Sequence, residues 1–211
     1  EGVKHSLDLC LACKACKTEC PVGVDMASYK AEFLSHYYEK KSRPLSAYAF
    51  GLINRWARLG SFAPGLSNFV MQNPWLGGGA KKILGIAPER ALPSFADRSF
   101  VSWFRRRKIK NLKGPKILLW PDTFNNHFYP EVLIAAVEVL EHLGYRVLLP
   151  KKPLCCGRPL YDYGMLDQAK IFLKRTMLSL KRELKKGIPI IGLEPSCIAV
   201  FRDELKNLFD G

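Results

Sequence analysis

Four cysteines fall within eleven residues, Cys10-x2-Cys13-x2-Cys16-x3-Cys20, and Pro21 follows at once. Nothing else in the 211-residue chain restricts its fold so tightly. A [4Fe–4S] cube needs four thiolates converging on a small volume. Three cysteines spaced this closely can reach three corners of one cube from a single loop. In two-cluster ferredoxins with this spacing, the fourth cysteine serves the other cluster. The proline then bends the chain away from the first cube. The intervening Ala12, Lys14, Ala15 and Lys17 are small or long-stemmed, which lets backbone N–H groups approach the sulfurs. The alternatives are structural zinc or a disulfide pair. Structural zinc usually takes two cysteine pairs across a longer spacer, and this run has none.

The ligand count does not close. Cys10, Cys13 and Cys16 supply three thiolates, and Cys20 points to a second cube. Residues 1–9 contain no cysteine, and the next one is Cys155. The chain is therefore expected to be the trailing part of a longer polypeptide, or one subunit of a complex. A first cysteine motif would lie upstream.

The texture of the sequence predicts α+β architecture in three parts. Residues 1–40 hold the cysteine run and a helical pattern from Met26 to Tyr38, with Asp25 as its N-cap. Residues 41–114 read as an irregular helical connector. Pro44 opens one helix through Trp56 and Leu59, and Gly77-Gly78-Gly79 reads as a loop. Residues 115–211 alternate strands and helices. Strands are expected at Lys116–Trp120, Tyr145–Leu149 and Ile188–Leu193. Helices are expected at Pro130–Leu143, Gly164–Lys186 and Ile198–Phe209. That βαβαβα order predicts a short parallel sheet.

In an open parallel sheet the loops at the carboxyl ends of the strands lie together. Cys155 and Cys156 follow the second strand, and Cys197 follows the third. These three are expected to meet near Asn125 and His127, which follow the first. Cys197 also sits where a helix starts, which favours thiolate. The plainer reading makes each a small apolar filler.

The formal charge is +14, and Arg105-Arg106-Arg107-Lys108 is its densest run. A basic nucleic-acid-binding protein with a structural metal site is the alternative reading. No DNA- or RNA-binding motif accompanies the run, and most such runs are solvated faces, so nucleic acid is not expected as a partner. No apolar run approaches the roughly 18 residues of a membrane span, and no signal peptide is read at Glu1-Gly2-Val3. A reducing, cytoplasmic setting follows from clustered cysteines without an export signal. The aromatic segment 44–104 adds the option of peripheral contact with the cytoplasmic face of the inner membrane.

Two motifs together resemble a known family. The stretch Leu7-Asp8-Leu9-Cys10-Leu11-Ala12-Cys13-Lys14-Ala15-Cys16, with Cys20-Pro21-Val22-Gly23-Val24-Asp25, resembles the second ferredoxin motif of FAD-linked oxidases fused to an iron–sulfur module. Cys155-Cys156-Gly157 and Glu194-Pro195-Ser196-Cys197 resemble their cysteine-rich CCG domain. Heterodisulfide reductase, the glycolate oxidase iron–sulfur subunit, anaerobic glycerol-3-phosphate dehydrogenase and lactate-utilisation proteins share that domain. The D-lactate and D-2-hydroxyglutarate type of 2-hydroxyacid dehydrogenase is most similar. The resemblance implies a helical ferredoxin-like part (1–40), a connector (41–114) and the first of a pair of CCG domains (115–211). It implies 4Fe–4S clusters on Cys10, Cys13, Cys16 and Cys20, and a further metal site at Cys155, Cys156 and Cys197. FAD would sit in an upstream domain or a partner chain, and electrons would pass to quinone or another carrier. Two departures stand out: the loop after the first strand holds Asp122 and Thr123 where relatives often carry cysteine, and position 194 is Glu.

Overall fold

A computed structural model describes residues 2–209. The first strand decides how the C-terminal half is built. Strand β1 (Lys116–Trp120) alternates its side chains between the two sheet faces. Ile117 and Leu119 enter one buried cluster, Leu118 and Trp120 another. A strand apolar on both faces must be covered on both. It takes the centre of a parallel sheet, between β2 (Arg146–Leu148) and β3 (Ile190–Gly192).

The helices supply the two covers. On the Ile117 side lie α8 (Phe100–Arg106), through Phe100 and Phe104, and α10 (Pro130–His142), through Leu133 and Val137. On the Trp120 side lie α12 (Leu166–Lys185), through Leu173 and Leu180, and α13 (Pro195–Arg202), through Val200. Burying a large aliphatic or aromatic side chain contributes about 1.5–3 kcal/mol. These facing rows therefore hold the sheet together. Short helices α9 (Thr123–His127), α11 (Arg158–Asp162) and α14 (Glu204–Phe209) complete this half.

The N-terminal half is helical: α1 (Gly2–Asp8), α2 (Ala15–Glu19), α3 (Met26–Tyr37), α4 (Leu45–Gly51), α5 (Ile53–Gly60), α6 (Pro64–Gln72) and α7 (Pro74–Leu84). It does not stand apart from the sheet half. Ala31 and Ala47 share a buried cluster with Leu160, Tyr161, Met165 and Ala169. Arg43 donates to the carbonyls of Tyr163 (2.6 Å) and Gly164 (2.9 Å). Gly164 has φ +65°, and any Cβ there would strike the backbone of Leu34 and Ser35.

Among the described residues the architecture is α+β, mostly helical, with one small three-stranded parallel sheet. Four details differ from the sequence reading. The expected helix from Pro44 breaks at Leu52 into α4 and α5. The last helix starts earlier, at Pro195, and breaks at Asp203. The short helices α1, α2, α9 and α11 have no counterpart among the expected elements. Gly77-Gly78-Gly79 lies inside α7, not in a loop. Each glycine weakens a helix by about 1 kcal/mol. Asn73 offsets part of this by accepting from the N–H groups of Trp75 (3.0 Å) and Leu76 (3.1 Å). The missing Cβ of Gly77 also lets the Met71 carbonyl approach closely, packing α6 on α7.

Candidate functional site

The Cys10–Cys20 loop is shaped by two residues in a costly conformation. Ala12 (φ 54°) and Lys14 (φ 63°) are left-handed without being glycine, each at a cost of order 1–3 kcal/mol. Named partners hold them there. Arg158 Nη2 donates to the Ala12 carbonyl at 2.6 Å, and Lys30 Nζ to the Cys10 carbonyl at 2.7 Å. Lys14 Nζ meets Asp25 at 3.1 Å and Asp203 at 2.8 Å, over the Tyr161 ring. Helix α2 then carries Cys16, and Cys20 caps its end. Cys13 is exposed, and Cys10, Cys16 and Cys20 are half-buried. The backbone N–H groups of Val24 and Val22, with Gly23, hold the Cys20 thiol below its usual range. A nest of such groups favours bound anions and thiolates.

The second cysteine group sits where the sheet directs it. Cys155 and Cys156 end the loop after β2. Gly157 (φ +79°) then turns the chain into α11. Thr176 Oγ1 donates to the Cys155 carbonyl at 3.0 Å. Cys197 lies in the first turn of α13, whose N-cap Glu194 accepts from Ser196 N–H. The Sγ atoms of Cys156 and Cys197 are 3.2 Å apart. Trp120, Thr123, Cys155, Cys156, Arg158 and Cys197 line a cavity of about 250 Å³. The adjacent Cys156 thiol and burial push Cys155 well up. For Cys156, the bond with Cys155 favours thiolate, but the bond with Cys197 and burial outweigh it and raise this thiol too.

An ion network joins the two groups. Arg158 lines the second cavity and touches the first loop through Ala12. Its Nη1 lies 2.8 Å from Glu204 Oε1, and Nε 3.5 Å from Asp162. Glu204 is 1% exposed, and Lys14 Nζ approaches it at 3.7 Å. Burial lifts the Asp162 carboxyl to about 6, against the pull of Arg158. Lys14, Arg158, Asp162 and Glu204 escaped the sequence reading. A carboxylate four residues after Arg158 was the one available signal.

His127 goes elsewhere. Asn126 donates to its Nε2 (3.0 Å), which leaves Nδ1–H to donate to Ser61 Oγ (2.6 Å). Ser61 in turn donates to the Ala57 carbonyl (2.8 Å). Burial, helped by Arg58, lowers the His127 pKa to about 4. This neutral histidine fastens the connector to α9, and neither it nor Asn125 lines the cysteine cavity.

The donor chemistry of both groups fits a cluster. Soft thiolates suit iron–sulfur and zinc, and both groups consist of cysteines. Among the described residues, no three cysteine, histidine or acidic side chains converge closely enough to hold a single ion.

Residues 122–202, which contain Cys155, Cys156 and Cys197, match the CCG cysteine-rich domain family. The chain is 28% identical to D-2-hydroxyglutarate dehydrogenase of Pantoea ananatis over 98% of its own length and 21% of that protein. It is 27% identical to a subunit of the anaerobic glycerol-3-phosphate dehydrogenase of Escherichia coli, over 60% of this chain and 33% of that one. It is 33% identical to a lactate utilization protein of an Exiguobacterium strain, over 42% of this chain and 36% of that one. The chain thus spans about a fifth of the length of the D-2-hydroxyglutarate dehydrogenase it matches. No solved structure matches it.

Proposed function

With residues 122–202 forming a CCG cysteine-rich domain, we propose that the chain is the iron–sulfur electron-transfer module of a flavin-dependent 2-hydroxyacid dehydrogenase. Residues 1–40 would carry the ferredoxin-like site, 115–211 the cysteine-rich unit, and 41–114 the link between them. Cys10, Cys13 and Cys16 would hold one 4Fe–4S cluster, and Cys20 would serve a second. Cys155, Cys156 and Cys197 would hold a further metal centre or shape the exit to the acceptor. Such clusters, when bound, supply one-electron transfer. The FAD and the hydroxyacid site belong to another domain or a partner chain. The acceptor is quinone or another carrier, and the setting is cytoplasmic.

One observation supports this reading above the others. Arg158 binds the loop of one cysteine group and lines the cavity of the other. Electron transfer needs neighbouring centres held at fixed distance, and this bridge fixes two thiol-rich sites in one body. Lys30 and Arg158 also place positive charge on the loop carbonyls, which suits a cube with net negative charge. EPR of the reduced, full-length protein tests the proposal. Cubane signals are expected, and their absence would overturn it. The basic charge favours no second reading: Arg107 is taken by the buried Glu141, and one residue of the densest run is thereby withdrawn from a phosphate-binding face.

A further inference from the structure

We propose that α6 and α7 form a docking hairpin that lies in the surface of an anionic bilayer. The two helices pack on each other, and α6 meets the rest of the chain through Met71, on Ala57, Phe95 and Phe128, and through Asn68, which donates to the Phe95 carbonyl (2.9 Å); most of their other side chains stay exposed. Among their residues only Gly77 is buried. The side chains that would make a core face outward: Phe69 is 64% exposed, Trp75 86% and Ile83 67%, and Phe62, in the turn before α6, is 83% exposed. Single exposed apolar residues are ordinary, but a cluster marks an interaction site.

Charge selects the kind of partner. The hairpin and the turn before it, residues 62–88, contain Lys81 and Lys82 and no Asp or Glu. Protein interfaces generally carry polar rims that need not share one sign. An apolar surface with cations alone, and with Trp and Phe at its tips, suits a headgroup layer of anionic lipid. The geometry suits lying in the surface rather than crossing it. At 1.5 Å per residue, the eleven residues of α7 reach only about 16 Å of a roughly 30 Å core. Among the described residues, no helix is long and apolar enough to span a membrane. The hairpin is also preformed. Asn73 caps α7, and Gly77 admits the Met71 carbonyl, so docking would not have to fold it.

Vesicle flotation of the full-length protein tests this. Binding is expected to mixed phosphatidylglycerol–phosphatidylcholine vesicles, and to be at least about tenfold weaker on phosphatidylcholine alone. The double variant Phe69→Ser, Trp75→Ser is expected to lose binding about tenfold or more, with an unchanged melting temperature because both side chains are exposed. Lys82→Glu is expected to erase the preference for phosphatidylglycerol. No flotation of the wild type would overturn the proposal and assign the hairpin to contact with the rest of the polypeptide. Equal flotation of the double variant would overturn it as well. Iron content and EPR of the same samples report separately on the cluster proposal.

Discussion

The two cysteine groups use one side chain in opposite settings. Around Cys10–Cys20 the sulfurs reach solvent, and backbone N–H groups lower the Cys20 thiol. Around Cys155 and Cys156 the sulfurs are enclosed and both thiols are raised. The first loop therefore yields the Cys20 proton to an incoming metal more readily. The second must first lose protons against burial, so metal binding there is tied to proton release and to pH. The difference follows from topology. A loop between short surface helices exposes its backbone donors, whereas loops at the ends of a buried sheet exclude water.

The largest test of this contrast is by substitution. Cys13→Ser is expected to abolish the cubane EPR signal that depends on the first loop, in the reduced full-length protein. Cys155→Ser is expected to leave that signal in place. Loss of the same signal in both variants would merge the two groups into one centre.

The bridge between them comes next in size. Arg158→Ala would strip the nearer of its two cations from Glu204, which is 1% exposed, and leave it Lys14 at 3.7 Å. Removing one member of a buried pair costs about 3–5 kcal/mol. Urea denaturation should show that loss. Arg158→Lys should recover only part, since an ammonium cannot reach Ala12, Glu204 and Asp162 from one planar fork. A loss under about 1 kcal/mol would mean that the cysteine groups are positioned independently.

That bridge also marks where sequence reasoning stopped. The parallel sheet was legible because Ile117–Trp120 is apolar throughout and the helices between strands carry their own breakers, such as Gly144 and Gly187. The meeting of Cys156 with Cys197 followed from the same topology. Local rules failed where distant contacts decide. Lys14 is left-handed because Asp25 and Asp203 hold its ammonium, and 189 positions separate the more distant pair. Gly77 is helical because a neighbouring carbonyl needs its space. His127 has the place of a site residue, just after β1, but α9 delivers it to Ser61 instead.

Thiol chemistry gives a finer measure of the contrast. In metal-free protein at neutral pH, Cys20 is expected to react with iodoacetamide faster than Cys155, since the thiolate is the nucleophile and the Cys20 thiol is lowered where the Cys155 thiol is raised. Peptide mass spectrometry over time reads both rates. Equal rates would show that the second cavity opens faster than it reacts, and its raised thiols would then place no barrier before a metal.

The smallest expected effect comes from Asp162, beside the enclosed cysteines. Its carboxyl titrates at about 6 when folded, raised from 3.8 mainly by burial. Between those values the folded state binds more protons than the unfolded one, so stability falls as pH rises from about 4 to 6. Two units correspond to about 3 kcal/mol at most. With the side chain 34% exposed, screening reduces this to about 1 kcal/mol. Asp162→Asn should therefore be more stable than wild type by about that amount at pH 7, with no advantage at pH 4. His127 contributes the opposite slope: its folded value of about 4 lies below 6.5, so the stability it supplies above pH 6.5 is lost as pH falls towards 4. Because both proteins keep His127, the difference between their urea-denaturation curves isolates Asp162. A difference that does not change with pH would show that water reaches Asp162 freely, and the enclosure that separates the second cysteine group from the first would end short of Arg158.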